Sequence, residues 1–311
     1  MINIKQNWNN HRFYPISQYY QKIFKEKVYK VSVSVAETCP NRQNLKMDTT
    51  CIFCDEWGSA AYHLDRDKSL IDQIKTNRDK IRKRYRAKKF LVYFQSYTNT
   101  FDRVTNLEKR FKIALEQEDI VGLVLGTRPD CLPKRLMPML RELKEKTFIQ
   151  IELGVQSFDD KQMHFLKRGH SAECSVDAIK KVYAETGLKS GVHLMFGLPD
   201  ESDEQLIETA ILINSLPVDT VKLHNLHVLV NTPLADLYHQ NKFAPVSLEE
   251  YARRVVLFLR HLSPDVAVNR LTAVANRWDE LVAPAWAKEK MRPVQYIEDQ
   301  MALQDVLQGA T

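Results

Sequence analysis

The sequence predicts an α/β chain folded as a partial (β/α)6, TIM-like barrel of parallel strands with a short C-terminal extension. Three observations predict it. β-rich runs alternate with amphipathic helical segments along the chain, the pattern of parallel βαβ units. One run, Phe148–Ser157, alternates apolar and polar residues one by one. Polar residues also gather late in several runs, where the active site of a β/α barrel sits.

The elements follow in order. Residues 1–27 form an N-terminal extension, and Met1–Asn10 is polar, with no apolar core of a signal peptide. Candidate strands are Val28–Ala36, Lys89–Tyr97, Val121–Arg128, Phe148–Ser157, Gly191–Leu198 and Val221–Leu229. Candidate helices are Ser69–Ala87, Asn106–Gln117, Lys134–Lys144, Ser175–Thr186, Glu204–Leu216 and Leu248–Leu262. The barrel core spans 28–240 and the extension that closes it spans 241–311. Val266–Thr272 offers a seventh strand, and Trp278 and Trp286 would anchor the tail.

A doubly wound sheet has the same alternation, and the fourth strand separates the two. Ile149, Ile151, Leu153 and Val155 point one way; Gln150, Glu152, Gly154 and Gln156 point the other. A central strand of a doubly wound sheet is apolar on both faces. One polar face fits a barrel whose interior holds a ligand, or else an edge strand with one wet side.

Composition narrows the class. Hydrophobic residues are 44% of 311, enough for a sizeable core. No apolar run reaches the roughly eighteen residues that span a bilayer, so no membrane partner and a cytoplasmic location are expected. The net charge of +6 is mild, but Lys75–Lys89 holds nine Lys or Arg against Asp79 alone. Such a run binds phosphate backbone. It also reads as the solvated face of a helix whose buried stripe is Leu70, Ile74, Ile81 and Tyr85.

Of five cysteines, Cys39, Cys51 and Cys54 cluster with the spacing Cys39-x11-Cys51-x2-Cys54. An odd count without an export signal speaks against a disulfide framework. Thiolates suit zinc or iron–sulfur clusters. Three of them leave one iron of a cluster open to a non-protein ligand; zinc would need a fourth ligand such as His63. The place of Cys39, directly after the first strand, favours a cofactor. Phe53 could pack beside it. Cys131 and Cys174 read as small buried hydrophobes, so a single cluster is expected.

These residues carry a family resemblance. Cys39-Pro40-Asn41-Arg42 and Cys51-Ile52-Phe53-Cys54 resemble the cluster loop of a bacterial radical S-adenosylmethionine (SAM) family related to the catalytic subunit of Elongator, the YhcC/YtqA-type proteins. Matching segments follow in order from about Val28 to Trp286. They are Tyr93–Thr100, Gly126–Asp130, Glu152–Ser157, Arg168-Gly169-His170, Gly197-Leu198-Pro199, Lys222-Leu223-His224 and Arg270-Leu271-Thr272.

The resemblance implies a radical SAM core, a 4Fe–4S cluster on Cys39, Cys51 and Cys54, and SAM bound to its open iron. Reduction would cleave SAM to a 5′-deoxyadenosyl radical that takes hydrogen from a substrate. The electron would come from a donor such as flavodoxin or ferredoxin. Gln95, Ser96 and Thr98 occupy the place of a glycine-rich SAM-binding stretch, here without glycine. Glu152 and Gln156 resemble ribose and methionine contacts. Arg168 resembles the partner of the SAM carboxylate, which suits a guanidinium fork. Met195 and Gly197 lie in the segment that packs on adenine. The cluster loop departs from the family, reading Gln43-Asn44-Leu45-Lys46-Met47-Asp48 where relatives are glycine-rich. After Arg270-Leu271-Thr272, Gly-Asp-Ala-Pro is replaced by Ala273-Val274-Ala275-Asn276.

By this resemblance the substrate is a tRNA wobble-uridine side chain. A small-molecule substrate keeps the same chemistry. A zinc-stabilised RNA-binding module without catalysis is the reading from another class. His224 and His227, late in the sixth strand, serve acid–base chemistry or bind a second metal, or are polar residues satisfied at the rim. Tyr93 and Tyr97 relay hydrogen or stack on a base, or simply pack.

Overall fold

The structure, a computed structural model, describes residues 8–36, 39–43, 50–55, 58, 67–275 and 278–310. His63, residues 44–48 and Asn276, named above, lie outside them.

Seven strands form one parallel sheet: β1 (Val28–Val33), β2 (Lys89–Phe94), β3 (Ile120–Thr127), β4 (Phe148–Gln156), β5 (Ser190–Phe196), β6 (Val218–Asn225) and, after the two-residue β7 (Val228–Leu229), β8 (Ala267–Arg270). β7 pairs instead with β9 (Leu281–Ala283), antiparallel. The order in the large sheet is β1-β2-β3-β4-β5-β6-β8. Each crossover thus steps the same way, and the sheet curls into a half-barrel. A doubly wound sheet would reverse direction at a switch point. The seventh strand that Val266–Thr272 offered is β8.

The helices are α1 (Ile16–Phe24), α2 (Leu70–Tyr85), α3 (Val104–Leu115), α4 (Leu136–Lys146), α5 (Asp160–Phe165), α6 (Ala172–Thr186), α7 (Asp203–Ser215), α8 (Pro233–His239), α9 (Leu248–His261) and α10 (Arg292–Leu303). Serines set where the crossover helices begin. Ser69, Ser171, Ser202 and Ser247 accept the backbone N–H three residues on, at Asp72, Cys174, Gln205 and Glu250. Ser202 and Gln205 complete a reciprocal capping box. Each such cap contributes about 1 kcal/mol.

β4 settles how the barrel is filled. Ile149, Ile151, Leu153 and Val155 join the main core under the helices. On the other face Gln150 and Glu152 are also buried, and β4 sits between β3 and β5. The polar face is therefore interior, not the wet side of an edge strand. Gln150 accepts a hydrogen bond from the Tyr20 hydroxyl at 3.0 Å and donates to Thr220 Oγ1 at 3.0 Å.

The floor, at the N-terminal ends of the strands, is plugged by α1, which lies within the expected N-terminal extension. Tyr20 packs with Val28, Leu91 and Val124. The Tyr19 hydroxyl donates to Asp219 at 2.6 Å. Just before α1, the Tyr14 carbonyl accepts from Val268 N–H at 2.7 Å, so the N-terminal segment borders β8. Gln308 holds this segment from the tail, accepting from Tyr14 N–H and donating to Ser263 and Val266 carbonyls. α10 packs on α9. Trp286 anchors the tail against Tyr251, with ring centres 5.4 Å apart, while Trp278 stays exposed.

Candidate active site

A cavity of about 300 Å³ opens at the C-terminal ends of the strands. The loop after β1 brings Cys39, Cys51, Phe53 and Cys54 to it. The end of β2 brings Gln95, Ser96 and Thr98; β4 brings Glu152 and Gln156; β5 brings Met195; and the segment before α6 brings Arg168. Of the residues to which the resemblance gives a cluster or SAM role, all but Gly197 line it. Its N–H donates to Glu201 at 3.0 Å, in the turn that leads to α7.

The three thiols sit among donors. Asn41 Nδ2 lies 3.2 Å from Cys51 Sγ and also bonds the Lys167 and Arg168 carbonyls. Arg168 Nη1 reaches Cys51 Sγ at 3.5 Å and Arg42 Nη2 reaches Cys54 Sγ at 3.6 Å. Donors of this kind favour thiolate, the ligating form. Without a cation on it, the Cys54 thiol is pushed up to about 12 by burial and by Cys51. The loop is pinned by Ile52, whose N–H bonds Leu166 and whose carbonyl accepts from Leu234. None of the five cysteines is in a disulfide. Among the described residues no three His, Cys, Asp or Glu side chains could hold one metal ion together. Three thiols lining one cavity fit a cluster in which each thiolate takes its own iron.

Beside the thiols lies a belt of unspent polarity. Ser96 Oγ, Thr98 Oγ1, Gln156 Oε1 and Arg168 Nε are buried without a protein partner. Buried polar groups are otherwise almost always paired, so this wall fits a polar ligand. Ser96, Tyr97 and Gln156 also take positive φ of 75°, 49° and 74°. Such backbone costs about 1 kcal/mol or more per non-glycine residue and gathers at functional sites. The stretch that lacks glycine in sequence thus adopts glycine-like backbone at two positions.

The inner layer below holds residues that sequence reasoning missed. Glu152 accepts from Lys30 Nζ at 2.6 Å, Asn269 Nδ2 at 2.8 Å and Lys222 Nζ at 3.3 Å. Lys222 also donates to the Tyr93 hydroxyl at 2.7 Å, and both ammonium groups lie over the Tyr93 ring. Burial alone would raise the Glu152 carboxyl; Lys222 and Lys30 overcome this and hold it well below the usual carboxylate range. Burial, with Arg270 and Lys30 nearby, pushes the Lys222 ammonium down to about 8 against the pull of Glu152. Gly191 makes room for this layer: a Cβ there would stand 2.6 Å from Thr220 Oγ1 and 3.2 Å from Glu152 Cγ. The available signal was a lysine in the inward register of an apolar parallel strand, Lys30 in β1 and Lys222 in β6.

Toward β8 the cavity is walled by imidazoles. His193, His224 and His227 form a row with ring centres 5.5 Å and 5.2 Å apart. His224 and His227 each point Nδ1 at the Asn225 carbonyl, 2.8 Å and 3.2 Å away. A carbonyl only accepts, so both rings carry their proton on Nδ1 and leave Nε2 as an acceptor. Burial pushes His227 down to about 4 and His224 well below its usual value, so the rings are neutral near pH 7. Asn225 is fixed in turn by Thr272 Oγ1 and Ala273 N–H, both at 2.8 Å from its Oδ1.

The family described as "Radical SAM superfamily" matches residues 33–213, and "Radical_SAM C-terminal domain" matches 218–302. The chain is 30% identical to the uncharacterized protein YtqA of Bacillus subtilis, over 96% of this chain and 92% of that protein. It is 31% identical over 148 residues to a tRNA uridine(34) acetyltransferase of Methanocaldococcus infernus, covering 46% of this chain and 27% of that enzyme. In three dimensions it is similar to the archaeal Elp3 of Methanocaldococcus infernus, with TM-score 0.68 and 20% identity, over 90% of this chain and 64% of that one. Among the described residues no helix is long and apolar enough to cross a membrane.

Proposed function

Because this chain belongs to the radical SAM superfamily, we propose that Cys39, Cys51 and Cys54 hold a 4Fe–4S cluster beside a SAM site and that the enzyme acts on tRNA. The observation that carries the cofactor reading is one cavity at the strand ends that gathers three thiols and four unpartnered polar atoms, those of Ser96, Thr98, Gln156 and Arg168. When bound, the reduced cluster and SAM supply a 5′-deoxyadenosyl radical that abstracts hydrogen from the substrate.

The chain's own residues bind and orient. Arg168 is fixed by the Gly154 carbonyl at 2.8 Å, which aims its remaining donors at the SAM carboxylate. Gln156, Ser96 and Thr98 bond the methionine and ribose portions. Met195 and Phe53 give the adenine an apolar wall. Glu152, kept anionic by its lysines, accepts from ribose hydroxyls at the inner end. Asn41 and Arg42 stabilise the thiolates. The electron comes from a one-electron protein donor of the flavodoxin or ferredoxin class.

Two observations support tRNA. A tRNA uridine(34) acetyltransferase shares sequence with nearly half the chain. On α2 and just beyond it, Lys75, Lys80, Lys83, Arg84, Arg86 and Lys88 are exposed, while Arg78, Arg82 and Lys89 are tied to Asp79, Asp119 and Glu26. The exposed set suits a phosphate backbone. Two measurements test the proposal. Anaerobically reconstituted protein should be brown and form 5′-deoxyadenosine from SAM and a reductant; a colourless protein that leaves SAM intact overturns it. Mass spectrometry of tRNA nucleosides with and without the gene tests the substrate, and an unchanged profile removes tRNA.

A further inference from the structure

Apart from Met195, the side chains on the β5–β8 side of the cavity are not needed for the SAM contacts above, and their charges are unbalanced. Arg270 Nε donates to the Leu223 carbonyl at 3.2 Å, and Nη2 lies 3.4 Å from His193 Nε2. Its Nη1 makes no hydrogen bond among the described residues, and no carboxylate there pairs with the guanidinium. Glu152 cannot serve, because Lys30, Lys222 and Asn269 already share it. Three cations thus face one carboxylate in a largely buried layer, an arrangement that costs free energy unless a further anion joins it. Val274 lines the cavity close by in sequence, at the position where the resembling family carries Asp, and adds no charge. Beside Arg270, His224 and His227 offer neutral Nε2 acceptors.

From this juxtaposition we infer that the β5–β8 half is a substrate subsite for an oxyanion with a neighbouring hydroxyl, the oxyanion on Arg270 and the hydroxyl donating to His224 or His227. The inference rests on the reading that SAM lies against the β1–β4 side and Met195. Guanidinium forks match phosphate and carboxylate oxygens. The imidazoles accept, so they select a group with a proton to give and repel a second bare anion. A ribonucleotide of RNA, with its phosphate and 2′-hydroxyl, has this chemistry; so does a small hydroxylated phosphate.

Isothermal titration of the reconstituted, SAM-loaded protein tests it with four probes: uridine 3′-monophosphate, its 2′-deoxy counterpart, uridine and glycerol 3-phosphate. Uridine 3′-monophosphate should bind, and loss of the phosphate or the 2′-hydroxyl should weaken it at least about tenfold and threefold respectively. Glycerol 3-phosphate binding more tightly than the nucleotide keeps the subsite and assigns it to a small molecule, against the tRNA reading. Arg270→Gln should weaken every anionic probe at least about tenfold. Val274→Asp, which supplies the missing carboxylate and leaves Arg270 in place, should do the same, so the outcome does not hang on one variant's folding. Equal affinity for uridine and its 3′-phosphate in the unsubstituted protein overturns the inference. 5′-Deoxyadenosine measured in the same preparation separates the two claims. SAM cleavage without anion binding sinks the subsite alone, and anion binding without cleavage sinks the radical reading alone.

Discussion

Arg168 lies directly over Gly154: its Nη2 donates to the Gly154 carbonyl at 2.8 Å, and a Cβ at position 154 would stand 2.9 Å from that nitrogen. The same Cβ would meet Gln156 Nε2 at 3.0 Å. Gly154→Ala therefore displaces two side chains assigned to SAM. The strain is expected to cost about 1–3 kcal/mol of stability, and SAM should bind about tenfold more weakly. Equilibrium SAM binding, with a thermal melt as the folding control, checks this. Unchanged affinity would remove Arg168 and Gln156 from the site.

Glu152→Gln keeps the shape and removes the charge that Lys30 and Lys222 share. Leaving two mostly buried ammonium groups without a counter-ion should cost about 3 kcal/mol, read as a fall in the urea midpoint. Adding Lys222→Met should restore part of it; strict additivity in that cycle would show that the two groups do not interact. The carboxyl is held low in the folded chain, so its contribution is complete above its ordinary value of 4.5 and fades as pH falls below it.

Lys222 titrates near 8 rather than at the usual 10.5. Between these values the unfolded chain holds more protons at this residue than the folded one, so its contribution makes stability rise with pH across that window. Nuclear magnetic resonance of a lysine-labelled sample should show one side chain titrating near 8, lost in Lys222→Met. Ordinary titration of every lysine would count against the buried network.

The cysteines divide into two groups. Cys39→Ala, Cys51→Ala and Cys54→Ala should each lose the visible absorbance and the 5′-deoxyadenosine. Cys131→Ala should keep both, because that thiol is buried beside Asp130 and does not line the cavity. Cluster loss in Cys131→Ala would require a different ligand set.

Exchanging Lys83, Arg84, Arg86 and Lys88 for Gln should weaken tRNA binding alike for all sequences. It should also reduce the slope of log affinity against log salt by roughly one for each phosphate contact removed. Titrations at several salt concentrations give the slope, and an unaltered slope excludes this surface.

The half-barrel was legible because β-rich runs alternate with helical segments, and because Ile149 to Gln156 alternates apolar and polar residues with a period that no helix shares. That Cys39, Cys51 and Cys54 share one cavity with Arg168, Gln156 and Ser96 was legible from spacing and motif. The inner layer was not, since one lysine inside VYKVSV looks the same as a lysine on a wet face until the register of β1 against β2 is known. α1 was hidden for another reason. It is nine residues long and lacks a side-chain N-cap, so its short apolar stripe has meaning only against the barrel floor. Gly197 shows the reverse: its motif is present, yet its N–H serves Glu201.

The floor plug also sets an order in time. Tyr19 and Asp219 are 200 residues apart in the chain, and Val268, which bonds Tyr14, comes later still. During synthesis α1 emerges before its partners on β6 and β8 exist. Loop closure over such a span comes late in folding. A nascent chain stalled before Asp219 should therefore be cut by chymotrypsin at Tyr19 and Tyr20, and the finished chain should resist. The residues of α1, translated before the strands that hold them, are the ones that lock the barrel last.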